Sequence, residues 1–144
     1  MNLSTRTEYG LRAVMELACN YQKKPLPLKT IAQRQGISVK YLERIIAALK
    51  NAGIVNSTRG SLGGYELAKR PDQIKILDCF KCLEGQFVLA DCIADYRSCS
   101  RFADCMVKGL WKQVNTAIEN ILESITLQDL IDSDKKAGKF DYQI

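Results

Sequence analysis

Histidine is absent from the 144 residues of this chain. That excludes every Ser/His or Cys/His catalytic arrangement and every histidine-ligated zinc site. Long apolar runs are missing as well. The longest, Ile45-Ile46-Ala47-Ala48-Leu49, falls far short of the ~20 residues that span a bilayer. The first residues, Met1-Asn2-Leu3-Ser4-Thr5-Arg6-Thr7-Glu8, lack the apolar core of a signal peptide. The expectation is a cytoplasmic protein whose six cysteines stay reduced, where clustered thiols point to metal or redox chemistry rather than to disulfides. With 47% hydrophobic and 26% charged residues, the composition is otherwise that of an ordinary globular domain.

The charge is divided. Residues 1–70 hold 12 Lys and Arg against 4 Asp and Glu, a net +8, and residues 71–144 hold 9 against 12, a net −3. A basic half joined to a mildly acidic one fits a polyanion-binding module with a separate sensing or assembly region. Charge alone fits a solvated face equally well, so the pattern of elements has to decide.

In the basic half, Leu11, Val14, Met15 and Ala18 recur at helical spacing from Ser4 to about Asn20, and Lys23-Lys24-Pro25-Leu26-Pro27 breaks the run. Thr30-Ile31-Ala32-Gln33 reads as a capping box opening a short helix that ends at Gly36. Ser38 caps the next helix, whose apolar stripe is Leu42, Ile45, Ile46 and Leu49. Two helices joined by a glycine-containing turn form a helix-turn-helix, and the second enters the DNA major groove by its N-terminal residues. Ser38, Lys40, Tyr41 and Arg44 are placed for that. After Asn51-Ala52-Gly53, short strands are predicted at Ile54–Ser57 and Tyr65–Leu67, around the glycine-rich loop Thr58-Arg59-Gly60-Ser61-Leu62-Gly63-Gly64. A hairpin with such a tip lets backbone approach a phosphate, and Arg59 can enter a narrow minor groove. The loop lacks the pattern of a nucleotide-binding P-loop and precedes no helix. The fold class is therefore mainly α with a small β-hairpin wing: a winged helix-turn-helix followed by a long dimerisation helix.

The acidic half carries the thiols. Ile74–Glu84 reads as a helix ended by Gly85, with Cys79 and Cys82 on one face. After Phe87-Val88-Leu89-Ala90 comes a loop with Cys92, Cys99 and Cys105, spaced C-x6-C-x5-C among Asp91, Asp95, Arg97, Arg101 and Asp104. Isolated thiols are usually small core hydrophobes, but three in a short polar loop are a candidate iron–sulfur ligand set. From Met106 a long helix carries Val107, Leu110, Trp111, Val114, Ile118, Ile121, Leu122 and Ile125, more apolar surface than one chain needs. A symmetric homodimer through this helix is the economical reading, because helix-turn-helix proteins commonly read two half-sites of double-stranded DNA; the alternative is that the whole stripe is intramolecular core. Thr126 caps a last short helix, and from Ser133 the tail is polar. The expected division is 1–72 for the winged domain, 73–132 for the cysteine loop and dimerisation helix, and 133–144 for a mobile tail. Helix 4–20 is expected to pack on the dimer region as well.

These residues resemble the Rrf-two (Rrf2) family of transcriptional regulators, in its IscR-like branch, over residues 1–132. The likeness is carried by the stretch from Ser4 to Ala13, by Ser38-Val39-Lys40-Tyr41-Leu42-Glu43, by Arg59-Gly60-Ser61-Leu62-Gly63-Gly64-Tyr65 and by the three loop cysteines. The first gap between those cysteines is one residue longer than in that branch. The resemblance implies a homodimeric winged-helix repressor or activator with Ser38, Tyr41, Glu43 and Arg59 at the DNA. It also implies an iron–sulfur cluster, [2Fe–2S] or [4Fe–4S], on Cys92, Cys99 and Cys105. A histidine soon after the third cysteine completes the cluster in IscR-like proteins. Here that place holds Met106-Val107-Lys108-Gly109. Glu8 of the partner subunit matches the carboxylate some relatives use, and Asp91, Asp95, Asp104, Cys79 and Cys82 are the alternatives. Buried small hydrophobes remain the simpler reading of Cys79 and Cys82, and Cys19 is expected in the core.

Three functions compete at this point. One is a DNA-binding regulator whose operator affinity follows an iron–sulfur cluster that reports iron, redox state or nitric oxide. The second is a cluster-free regulator of the same fold, using zinc, a thiol/disulfide switch or a protein partner. The third, a thiol oxidoreductase built on Cys79-Phe80-Lys81-Cys82, lacks the βαβ context that such a motif needs, and no enzyme is expected.

Overall fold

The computed structural model describes residues 2–138. Helix α1 (Thr5–Cys19) begins where Ser4 leaves the extended region and its hydroxyl accepts from the Thr7 N–H, an N-cap as expected. Its buried face, Gly10, Ala13, Val14, Leu17 and Ala18, lies at the centre of the core. Helix α2 (Leu28–Gln35) starts three residues earlier than the Thr30 box predicted, with Pro27 at the cap. The fixed φ of proline supplies the extended entry, leaving Thr30 inside the first turn, where its backbone N–H bonds Pro27 O. Gly36 ends α2 in the left-handed conformation (φ +66°), and Ser38 caps α3 (Val39–Asn51) by accepting from the Tyr41 N–H at 3.1 Å. Leu42, Ile45, Ile46 and Leu49 are all buried, as their stripe predicts. Each such side chain contributes ~1.5–3 kcal/mol by its removal from water.

Strands β1 (Val55–Thr58) and β2 (Gly64–Leu67) pair antiparallel, Val55 against Leu67 through Thr58 against Gly64; β1 is displaced by one residue from its predicted span and β2 begins one residue earlier. A two-stranded hairpin is marginal alone. This one is anchored by buried Val55 and Leu67 and by Leu26, which exchanges both backbone hydrogen bonds with Tyr65 (2.9 and 2.8 Å). The proline-flanked break after α1 is thus a third rung of the wing.

A 3-10 turn at Pro71–Gln73 leads to α4 (Ile76–Glu84), two residues shorter at its start than predicted. Ile74 and Lys75 are held out of the helix by a β-bridge between Lys75 and Thr126, in which Leu127 N–H donates to Ile74 O and Ile76 N–H donates to Ile125 O. Helix α4 packs on α1, α3 and α6. Between α4 and α6 the chain makes one turn of helix, α5 (Asp91–Ala94), and two 3-10 turns at Tyr96–Ser98 and Phe102–Asp104. Helix α6 (Lys108–Ser124) begins two residues after Met106, which is 98% exposed. Thr126 and Asp129 close a capping box for α7 (Leu127–Lys136), which buries Leu127 and Ile131 against the core. The polar tail expected from Ser133 is therefore helical to Lys136, because α7 packs on α1 and the turn at Pro71–Gln73. Ala137 and Gly138 follow as a turn, and residues 139–144 of the expected tail lie outside the described residues.

Candidate DNA interface and thiol site

Helix α3 presents its first turns to solvent. Lys40, Glu43 and Arg44 are exposed, and among the described residues none has an ion-pair partner. Ser38 is exposed, but its oxygen is engaged in capping, so its hydroxyl proton is what it has to offer. Tyr41 differs from its neighbours in being half-buried. Its ring stands edge-on to Tyr9 of α1, with centroids 6.3 Å apart and planes at 89°, and the Arg12 guanidinium lies 5.4 Å over the Tyr9 ring. Aromatic pairs in this arrangement gain ~0.5–1.5 kcal/mol beyond area burial. Tyr41, expected at the DNA, is thus also the point at which α1 holds α3. Sequence reasoning did not single out Tyr9 or Arg12 in this role, because a ring contact between residues thirty-two apart leaves no local pattern.

Three residues, Ala52–Ile54, join α3 to the wing. Its loop carries Arg59, Gly60 and Ser61, all exposed, with Arg59 free of any ion-pair partner among the described residues. The loop is tight for a backbone reason. A β-carbon on Gly63 would stand 2.2 Å from Thr58 O, and Gly60 holds φ +109°. The residues expected at DNA are therefore brought together in two sets, one on α3 and one on the wing loop.

The loop cysteines sit at the ends of its short turns: Cys92 within α5, Cys99 and Cys105 directly after the two 3-10 turns. All three are half-buried and free, and none of their sulfurs has a hydrogen-bond partner among the described residues. The loop has its own small scaffold. Leu89 N–H donates to Asn115 Oδ1 at 2.9 Å, the Tyr96 and Phe102 rings meet at a tilt of 45° with centroids 5.9 Å apart, and the Lys108 and Lys112 ammoniums lie over the Phe102 ring at 4.9 and 5.2 Å. Three unengaged thiols are the donor chemistry that an iron–sulfur cluster takes. The fold does not gather them within one chain: among the described residues, no group of three or more Cys, Asp or Glu is placed to hold a metal ion. Glu8 is exposed on α1.

The other cysteines divide differently. Cys79 is fully buried, and burial pushes its thiol up to about 12. Cys82 is half-buried, donates to Ala48 O at 3.2 Å, and is raised by burial against a lowering from Arg6. A nucleophilic thiol needs the opposite shift, so this C-x-x-C pair is packing and bridging. Cys19 corrects the expectation of a core position: it is exposed at the last turn of α1, and partial burial with Asp134 nearby raises its thiol.

A carboxylate unnoticed in the sequence holds the two halves together. Glu84 Oε2 accepts from Ser4 Oγ at 2.8 Å, from Ser4 N at 3.3 Å and from the hydroxyl of fully buried Thr7. The Thr7 and Ser4 hydrogen bonds hold the Glu84 carboxyl below the usual glutamate range.

Comparison with known proteins agrees with this architecture. Residues 3–133 match the Rrf2 family model, described as an iron-dependent transcriptional regulator. The chain is 39% identical to Protein rrf2 of Nitratidesulfovibrio vulgaris over 91% of its own length and 87% of that protein's. It superposes on the solved structure of T. potens IscR with a TM-score of 0.76 at 38% identity, covering 95% of this chain and 90% of that one. Against the structure of CymR (YrzC), the global cysteine regulator of B. subtilis, the TM-score is 0.78 at 36% identity, with 92% and 98% covered. With a winged helix-turn-helix and this span of similarity, the chain belongs to the Rrf2 family of transcriptional regulators.

Proposed function

We propose that this protein is a cytoplasmic, homodimeric, DNA-binding transcriptional regulator whose operator affinity is set by an iron–sulfur cluster on Cys92, Cys99 and Cys105. The observation that carries the DNA reading is the pair of exposed, unpaired cation sets, Lys40 and Arg44 on α3 and Arg59 on the wing. Phosphates would take the cations, Gly60 and Ser61, and Glu43 would accept from cytosine while repelling phosphate, which favours one sequence and penalises others. The three loop thiols support the cluster, with Glu8 of a second subunit completing the set and [2Fe–2S] preferred to [4Fe–4S]. Bound there, a cluster supplies a centre sensitive to iron supply, redox state and nitric oxide. Glu8 lies next to Tyr9, whose ring packs on Tyr41, so the ligand would sit on the helix that steadies the recognition helix.

The second reading keeps the fold and the DNA but replaces the cluster with a thiol or zinc switch. The ungathered thiols and the likeness to a cysteine regulator favour it. Iron and acid-labile sulfide, measured on protein purified without oxygen, separate the two. Cluster-level iron that each of Cys92→Ala, Cys99→Ala and Cys105→Ala abolishes, in a still-folded protein, is the expected result. A colourless, iron-free protein with normal operator affinity overturns the cluster reading. Glu8→Ala weakens retention if the carboxylate is a ligand, and unchanged retention removes Glu8 from the set.

A further inference from the structure

Residues 82, 83 and 84 form the last turn of α4, and each touches either the recognition helix α3 or the helix α1 that steadies it. Cys82 donates its thiol proton to Ala48 O on α3. Leu83 occupies the space beside Gly10 of α1, where a β-carbon would come within 2.5 Å of its methyl. Glu84 receives the hydrogen bonds of Ser4 and Thr7 on one carboxylate oxygen. The next residue is Gly85 (φ +85°), and the chain then enters the segment that carries Cys92, Cys99 and Cys105.

The position of Glu84 is informative because it is wrong for α4 itself. A carboxylate at a helix C-terminus faces the negative end of that helix's dipole, whereas at an N-terminus it meets unsatisfied N–H groups and the positive end. Glu84 stands at the C-terminus of α4 and at the N-terminus of α1. Its role is therefore to be found on α1. The Ser4 hydroxyl accepts from Thr7 N–H and donates to Glu84, and the buried Thr7 hydroxyl has no other acceptor on α4. A shift of Glu84 would leave that buried hydroxyl only the Ser4 oxygen, 3.0 Å away, as a partner and would cost it the charge-assisted bond. Leu83 against Gly10 removes the slack that would let α1 follow only part of the way. Tyr9 on the same helix then bears on Tyr41 of α3.

We propose that Glu84 is a positioning residue for the DNA-reading face. Its carboxylate fixes the start of α1 to the root of the cysteine segment, so that a change of state in that segment reaches Tyr41 through α1. Cys82 supplies the parallel link to α3. The inference rests on the regulatory reading above, because it needs a cysteine segment with two states and an operator to report them.

The test measures operator affinity for two states of each protein, iron–sulfur-loaded without oxygen and metal-stripped. The probe is a duplex selected by the wild-type protein from a randomised pool. The ratio of the two affinities reports transmission, and iron and sulfide content reports the site. Glu84→Gln and Thr7→Val are expected to load normally and melt cooperatively while the ratio falls at least fivefold toward one. Cys82→Ala lowers the ratio, and Cys82→Ser, which keeps a donor for Ala48 O, restores it. Glu123→Gln, at an exposed ion pair with Lys75, leaves the ratio unchanged. A folded Glu84→Gln or Thr7→Val that keeps the full wild-type ratio overturns the inference and leaves the regulatory reading intact. A wild-type ratio of one overturns the regulatory reading, and the inference falls with it.

Discussion

At the scale of single residues, the wing shows how backbone and side chain divide a task. Arg59 supplies charge and reach, while Gly63 supplies the shape that delivers it, since Thr58 O fills the space a β-carbon would need. Arg59→Ala is expected to weaken operator binding by ~1–3 kcal/mol, the range for one specific side-chain contact, with little change in Tm. Gly63→Ala should approach the same loss without removing any charge, because the loop must move before the arginine can be presented. Titration of both variants against one operator, beside thermal melts, checks the pair; full affinity in either removes the wing from the reading. Glu84 gives a pH dependence whose sign is fixed by its hydrogen bonds. Its folded carboxyl titrates below the ordinary glutamate value of 4.5, so its stabilising contribution is complete above that value and is lost as pH falls through the folded one. Wild-type Tm should therefore drop more steeply below pH 4.5 than that of Glu84→Gln, and parallel curves would mean that the charge adds nothing.

At the scale of elements, legibility followed the range of the interactions involved. Helix α3 was readable from end to end because its cap, stripe and stop all lie within a few residues: Ser38, then Leu42 to Leu49, then Ala52-Gly53. The start of α2 was misplaced because Thr30-Ile31-Ala32-Gln33 satisfies a capping pattern that Pro27 pre-empts by its fixed φ. The start of α4 differs from its pattern for a longer-range reason: Ile74 and Lys75 pair with a stretch some fifty residues away. Cys19 departs from the core position its neighbours suggest, because Leu17 and Ala18 are core while it falls on the outward side of the last turn. The Glu84 contact, spanning eighty residues to Ser4, left no local trace at all. The thiols illustrate the gain from structure, because one residue type now divides by environment. With its thiol buried and pushed up to about 12, Cys79 should resist a water-soluble disulfide reagent in the native protein. Cys92, Cys99 and Cys105, together with exposed Cys19, should react in the metal-stripped protein well before it does. Mass mapping of the labelled sites over time checks that order, and early labelling of Cys79 in folded protein would contradict its burial.

At the scale of the whole molecule, the open question is what covers α6. Its 17 residues make a rod about 25 Å long at ~1.5 Å per residue, yet among them only Asn115 is buried. Leu110 is 50% exposed and Ile121 57%, while Trp111, Val114, Ile118 and Leu122 are half-covered. A stripe that repeats at intervals of three and four and stays open in one chain has the form of half an interface. Two such helices crossing in a symmetric pair would each cover the other, and the two winged domains would then face successive half-sites. Placing a charge on the stripe should therefore separate assembly from DNA reading. Leu110→Glu or Ile121→Glu is expected to shift sedimentation at micromolar concentration from dimer to monomer. Binding to a two-half-site operator should fall at least tenfold, because the second half-site is no longer held at high local concentration. Binding to an isolated half-site, carried by α3 and the wing, should stay within about twofold, and the logarithmic salt slope on the full operator should shrink as the second set of phosphate contacts is lost. A variant that remains dimeric, with an unchanged salt slope, would place the interface elsewhere and leave the exposed stripe of α6 without a second copy of itself as its cover.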